Sequence, residues 1–196
     1  VRRLVGSEMC IRDSSNTDPV ARDDVGYINE GSTLTVTGGI NANDITPDSS
    51  GEHTGDLIRT LSSSNKDTDA DGDSLSVSSF RVGSSEGFGS SGSVGGSWKD
   101  GTYGRIKMWS AGGWVYEANN AEALDSGDVV SDYFNYTISD GNGGSDTAVI
   151  RVYVAGQNDA ITAVSDTDTV IEDGSISRNT SSPFELDQDD TDPDGD

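Results

Sequence analysis

The chain has 196 residues, with 35 acidic against 12 basic side chains and a formal net charge of -23. So acidic a surface excludes nucleic-acid backbones and anionic membranes as partners, since both are recognised by clustered Lys and Arg. Only 31% of residues are hydrophobic and no apolar stretch is long enough to cross a bilayer as a helix, yet the apolar residues fall into short alternating runs that argue for a fold rather than disorder.

Residues 1–15 stand apart as a non-native or disordered leader. The first fourteen hold three of the basic residues, the only Cys and one of the two Met. Ser7-Glu8-Met9-Cys10-Ile11-Arg12-Asp13-Ser14 resembles a translated sequencing-adapter read-through, and no apolar core follows the arginines as a signal peptide requires. Without Cys10 the chain has no thiol for disulfides, catalysis or metal binding.

From residue 16 onward the periodicity is that of strands. Leu34 and Val36 alternate with Thr, and a polar stretch, 38–56, follows them. Then comes Asp67-Thr68-Asp69-Ala70-Asp71-Gly72-Asp73, leading into Leu75, Val77, Phe80 and Val82. Residues 83–101 are dominated by Gly and Ser and read as a mobile loop, with Trp98 either a binding aromatic or a lid on the sandwich edge. Ile106 and Met108 alternate with Arg105 and Lys107, and Gly112-Gly113 turns the chain into Trp114 and Tyr116. A helical turn is expected within 118–127. Phe134, Tyr136 and Ile138 then form a strand, followed by the turn Asp140-Gly141-Asn142-Gly143-Gly144 and the strand of Ala148, Ile150, Val152 and Val154. Short alternating strands with Gly and Asp turns predict an all-β, antiparallel Greek-key sandwich.

An internal repeat divides the chain. Ala21, Asp24 and Glu30 recur as Ala163, Asp166 and Glu172, and the aspartate heptad recurs as Asp190-Thr191-Asp192-Pro193-Asp194-Gly195-Asp196. One offset is 142 residues and the other 123, so the first copy carries an insertion, assigned to 38–56. One full module, 16–158, is followed by the truncated start of a second, 159–196.

Four carboxylates within seven residues repel one another unless a cation sits among them. Alternating Asp with a Gly at the bend wraps hard oxygen ligands around Ca²⁺. A helical EF-hand does not fit, because Ser78 stands where its bidentate Glu belongs and Leu75-Ser76-Val77 alternates as a strand. In a seven-strand Greek key, alternate loops lie at opposite ends. The heptad (Asp67, Asp69, Asp71, Asp73) and Asp140 then share the N-terminal end, and Glu30 shares the other end with Asn158 and Asp159. In tandem, that second group faces Asp190, Asp192, Asp194 and Asp196 of the next module.

Gly101-Thr102-Tyr103-Gly104-Arg105-Ile106-Lys107-Met108, then Gly113-Trp114-Val115-Tyr116, then Asp132-Tyr133-Phe134-Asn135-Tyr136-Thr137-Ile138-Ser139-Asp140-Gly141-Asn142-Gly143-Gly144, and finally Asn158-Asp159-Ala160 together resemble the VCBS repeat, a bacterial cadherin-like module. The resemblance covers 16–158 and then restarts. It departs from the family at the linkers, which read Asp18-Pro19-Val20 and Asp159-Ala160-Ile161. The resemblance implies tandem modules in large secreted or surface-anchored RTX-type adhesins, with Ca²⁺ at the junctions. The partners it implies are the adjacent modules, with glycans bound through other domains.

The expected function is therefore a non-catalytic, calcium-stiffened extracellular spacer. The alternative is a carbohydrate-binding module using Trp98, Trp109 or Trp114, or an accessory domain of a secreted hydrolase. Catalytic readings are weaker. Gly83-Ser84-Ser85-Glu86-Gly87 matches a nucleophile elbow in form, but the single His, His53, precedes it in the chain where the hydrolase order needs one after it.

Overall fold

Ten strands make up the regular structure among the described residues of the computed structural model, which are 15–37, 40–41, 57–58, 66–165, 167, 170–175 and 190–193. They are β1 (Asp24–Asn29), β2 (Thr33–Thr37), β3 (Ile40–Asn41), β4 (Ser76–Val82), β5 (Ser90–Gly92), β6 (Lys99–Asp100), β7 (Arg105–Met108), β8 (Trp114–Glu117), β9 (Val129–Ser139) and β10 (Ser145–Ala155). One sheet has the order β1-β10-β9-β4-β5 and the other β3-β2-β8-β7-β6. All pairings are antiparallel except that of β1 with β10, which is parallel from Asp24 opposite Ile150 to Asn29 opposite Ala155.

Period-two alternation places one face of each strand inside. Phe134, Tyr136 and Ile138 of β9 meet Ala148, Ile150, Val152 and Val154 of β10 on one inner face. Leu34, Val36, Ile106, Met108, Trp114 and Tyr116 supply the other, and all are buried. Trp114 and Tyr116 are fully enclosed; burying side chains of this kind stabilises by roughly 1.5–3 kcal/mol each. A Cβ at Gly26 of β1 would lie 2.6 Å from Trp114 Cη2 and 3.0 Å from Leu34 Cδ2, so only glycine lets the indole lie against that strand.

Two local expectations are corrected. Residues 118–127 hold turns, not a helical turn: Leu124 N–H donates to Ala121 O and Asp128 N–H to Asp125 O. Residues 83–101 are not one structureless loop, since β5 forms a hairpin with β4 and β6 pairs with β7. The buried Asn135 side chain fastens the hairpin loop, donating to Gly83 O and Phe88 O and accepting from Gly87 N. A bulge at Ser78 shifts the β4 register, which is why Val77 and Phe80, three residues apart, both point inward.

Residues 1–14 of the proposed leader lie outside the described residues, as do His53 and nearly all of the insertion. Leu57 and Ile58, just past the insertion, are buried in the core. Among the described residues no helix is long and apolar enough to cross a membrane.

Candidate metal centre

The heptad loop is fastened to the start of the module by an isolated bridge, Val20 N–H to Thr68 O at 2.8 Å and Thr68 N–H to Val20 O at 3.0 Å. This pairing turns Asp67 inward. Its Oδ1 accepts from Arg22 N–H at 2.8 Å, and its Oδ2 lies 3.3 Å from the Tyr136 hydroxyl. That hydroxyl also lies 2.8 Å from Asp24 Oδ2, 2.9 Å from Arg22 O and 3.1 Å from Leu57 O. A single O–H proton cannot serve four acceptors, so the cluster has room for a further proton. Burial pushes the Asp67 carboxyl up to about 7, although the Arg22 N–H and Tyr136 hydroxyl hold it back. Burial, and then the Asp24 and Asp67 carboxylates, also raise Tyr136 well above its ordinary range. Asp67, expected as a metal ligand, lies in this interior cluster and is not one of the carboxylates grouped at metal-ligand spacing.

Asp69 points the other way along the loop. Its Oδ1 accepts from Asp71 N–H at 2.8 Å and Asp73 N–H at 3.1 Å, folding the loop over Gly72, whose φ of 82° suits glycine. Its Oδ2 is buried and has no hydrogen-bond partner. Carboxylate oxygens of Asp69, Asp73 and Asp140 lie within 4.8 Å of one another.

Asp140, at the β9–β10 turn, accepts from Asn142 N–H at 2.7 Å and Gly144 N–H at 3.0 Å through Oδ1, and from the Asn16 amide at 2.7 Å through Oδ2. Asn16 first, and the turn amides after it, hold this carboxyl below the usual carboxylate range. Asp73 Oδ2 accepts from the Asn142 side chain at 2.8 Å, and Asp71 Oδ2 from Thr17 N–H at 2.7 Å. A loop between the two sheets, the β9–β10 turn and the chain entering the module therefore meet at one end. Asn16, Asp71, Asp73 and Asn142 line an open cleft there.

The donor set fits a hard divalent cation. Two oxygens on opposite sides of a Ca²⁺ bound at 2.3–2.6 Å are about 5 Å apart, so three oxygens within 4.8 Å can share one shell. At that spacing and an effective dielectric near 20, each carboxylate pair repels by roughly 3.5 kcal/mol, which a cation reverses. A buried oxygen without a donor, as on Asp69, is the atom such an ion would satisfy.

The other predicted residues are distributed differently. Glu30, buried beside the module's exit, accepts from Gln157 N–H, and the Asn158 amide donates to Asp159 O at 2.8 Å. Asp190 Oδ1 accepts from Val164 N–H at 2.7 Å, as Asp67 does from Arg22, and Thr162 bridges Thr191 as Val20 bridges Thr68. The bridge thus recurs 142 and 123 residues further on. Among the described residues Glu30, Asp159, Asp190 and Asp192 do not form a group of three or more carboxylates at metal-ligand spacing. Asp194 and Asp196 lie outside the described residues.

A family profile for the bacterial cadherin-like domain matches residues 16–156. The chain belongs to that family. No curated protein matches it. Among solved structures, one similar chain is a nucleoside hydrolase-related hypothetical protein from Saccharophagus degradans associated with carbohydrate metabolism. The identity is 19% and the TM-score 0.35; the match covers 73% of this chain and 26% of that one.

Within this bacterial cadherin-like domain, the sequence motifs prove to be interior polar ties. Asp132 Oδ1 accepts from Thr102 N–H at 2.8 Å. Its Oδ2 accepts from Tyr103 N–H at 3.0 Å, Gly104 N–H at 3.2 Å and the Tyr116 hydroxyl at 2.7 Å. Burial, and next the Asp132 carboxylate, push the Tyr116 phenol far above its ordinary range. A Cβ at Gly104 would lie 2.3 Å from Glu117 O, so the Gly-Thr-Tyr-Gly run is the form that fits around the carboxylate. Sequence reasoning missed Asp132, although it falls in phase with Phe134 and Tyr136 on the inner face.

Of the three tryptophans, Trp114 is in the core and is unavailable to a carbohydrate. Trp98 is 37% exposed, with Arg105 and Lys107 held 4.6 and 4.3 Å from its ring centre. Lys107 also lies 5.5 Å from the Trp109 ring. Trp98 thus lies against the outer face of β7, where the cations it packs on contribute about 0.5–1 kcal/mol each.

Proposed function

We propose that this domain is a non-catalytic, calcium-binding spacer of a long secreted or surface-anchored bacterial adhesin. The observation that carries the reading is the buried, unpartnered Asp69 Oδ2, lying with oxygens of Asp73 and Asp140 inside one coordination radius. Asp69, Asp73 and Asp140 would hold the ion, with Asp71, Asn16 and Asn142 at its margin. A bound Ca²⁺ supplies positive charge and no redox or acid–base chemistry.

The chain's own residues supply the rest. Asn16 and Thr17 tie the entering linker to Asp140 and Asp71, so a cation that settles those carboxylates also settles the direction of the linker. In this reading the partners are the adjacent modules. Glu30, Asn158 and Asp159 occupy the exit end, where the heptad at 190–196 would form the equivalent site of the next copy.

Extracellular calcium modules bind with Kd of roughly 10⁻⁴–10⁻³ M. At tenfold excess over Kd the folded state gains about 1.4 kcal/mol, or about 3–6 °C in Tm for a domain of this size. The test is thermal unfolding of the full chain in calcium and in EGTA, alongside Asp69→Asn and Asp73→Asn. The expected result is a calcium-dependent rise in wild type that either substitution abolishes. Identical melting of wild type in both buffers refutes the assignment.

A further inference from the structure

We propose that Asn142-Gly143 is a self-modifying site, at which Asn142 deamidates through a cyclic imide and adds a new carboxylate to the Asp69, Asp73 and Asp140 group. Asn142 is the only Asn in the chain followed by Gly. Gly lacks the Cβ that would shield its main-chain nitrogen, and with Gly143 at φ 109° any other residue there would be strained. Asn142 is exposed at the tip of the β9–β10 turn and takes no part in the core.

The reaction needs no enzyme. Gly143 N, having given its proton to a solvent base, attacks Asn142 Cγ. The new C–N bond closes a five-membered succinimide, and Nδ2 leaves as ammonia. One water then opens the ring at either carbonyl, leaving Asp or isoaspartate at 142, so the net change is Asn plus water to acid plus ammonia.

The folded loop restrains both reacting groups. The Asn142 amide is held on Asp73 Oδ2 at 2.8 Å, and the Gly143 N–H is directed to the Asp140 carboxylate. Ring closure therefore requires the turn to open, so its rate follows local stability. Opening to Asp replaces the donor facing Asp73 with an anion, and opening to isoaspartate frees a carboxylate at the former main-chain carbonyl of the same residue. Without a cation the product repels Asp73; with one it becomes an additional oxygen ligand. This coupling rests on the calcium reading above, whereas the imide chemistry does not.

The experiment ages the full-length chain at mildly alkaline pH in EGTA and in calcium at ten times Kd. Peptide mass mapping with isoaspartate detection follows the modification, and melting temperature is read in parallel. Asn142 is expected to gain the mass of an amide-to-acid conversion ahead of every other Asn, and about tenfold more slowly in calcium. Asn142→Gln, which keeps the amide but closes the imide poorly, should remain unmodified. Absence of the mass increase at Asn142 in EGTA overturns the proposal. Equal rates in the two buffers with a normal calcium-dependent rise in Tm overturn the coupling. Equal rates with no rise in Tm uphold the modification and remove the calcium reading instead.

Discussion

Replacing Asp132 by Asn tests the interior polar tie most directly. The carboxylate accepts four hydrogen bonds, from the main-chain N–H groups of Thr102, Tyr103 and Gly104 and from the Tyr116 hydroxyl. An amide of the same shape has one acceptor oxygen. Whichever way it turns, its NH₂ faces at least one main-chain N–H, that of the exposed Thr102 or those of Tyr103 and Gly104, and leaves it without this acceptor, at a cost of up to about 3 kcal/mol where the donor is buried. The bonds that survive lose their charge assistance and about half their strength. Together these lower stability by about 2–5 kcal/mol, a large share of the roughly 5–15 kcal/mol a domain possesses. Urea unfolding measures it, with an unchanged m-value showing that the unfolded state is unaltered. Tyr116→Phe, which removes one bond and leaves the three N–H groups paired, should lose only about 1–2 kcal/mol. The loss should be the same in calcium and in EGTA, since Asp132 lies outside the candidate metal centre. An Asp132→Asn protein within about 0.5 kcal/mol of wild type, the scatter of ordinary surface substitutions, refutes the reasoning.

In calcium-free buffer the Asp67 cluster gives a pH dependence of definite sign. The folded carboxyl titrates near 7, above the ordinary value of about 3.9. The folded state therefore keeps a proton that the unfolded chain has lost. Asp67's contribution is full below about pH 4 and declines as pH rises through 7. Asp67→Asn should flatten that part of the stability profile relative to wild type, and two parallel profiles count against the cluster. Gly26→Ala places a methyl 2.6 Å from the Trp114 ring and should lose about 1–3 kcal/mol by overpacking, with a shift in tryptophan fluorescence; unchanged stability and emission would mean the sandwich has slack there.

The sheets were legible because β2 and β7 alternate strictly and β9 and β10 carry an inward-facing apolar series, so that the inner face could be read from Leu34, Ile106, Phe134 or Ile150, while in β8 Trp114, Val115 and Tyr116 are buried together. Strands β5 and β6 were not. Ser90, Ser91 and Gly92 carry no apolar period, and they pair only because a hairpin brings them beside β4. At Ser78 the bulge breaks the period outright. In the heptad, sequence treats four aspartates alike; the bridge of Thr68 to Val20 is what sends Asp67 inward while carboxylate oxygens of Asp69 and Asp73 gather with that of Asp140. Asn16, 124 residues from the Asp140 it contacts, carried no local signal at all. Its counterpart 142 residues later is Asn158, which the loop topology had placed at the exit end.

The parallel pairing of β1 with β10 has a mechanical consequence. The chain enters beside the start of β10 and leaves where Asn29 lies opposite Ala155, so entry and exit lie at opposite ends of a strand about 36 Å long. Tension applied through the two linkers runs along these strands and loads the six-residue pairing in shear. Its hydrogen bonds must then fail together, where the same bonds pulled from one end would unzip in sequence.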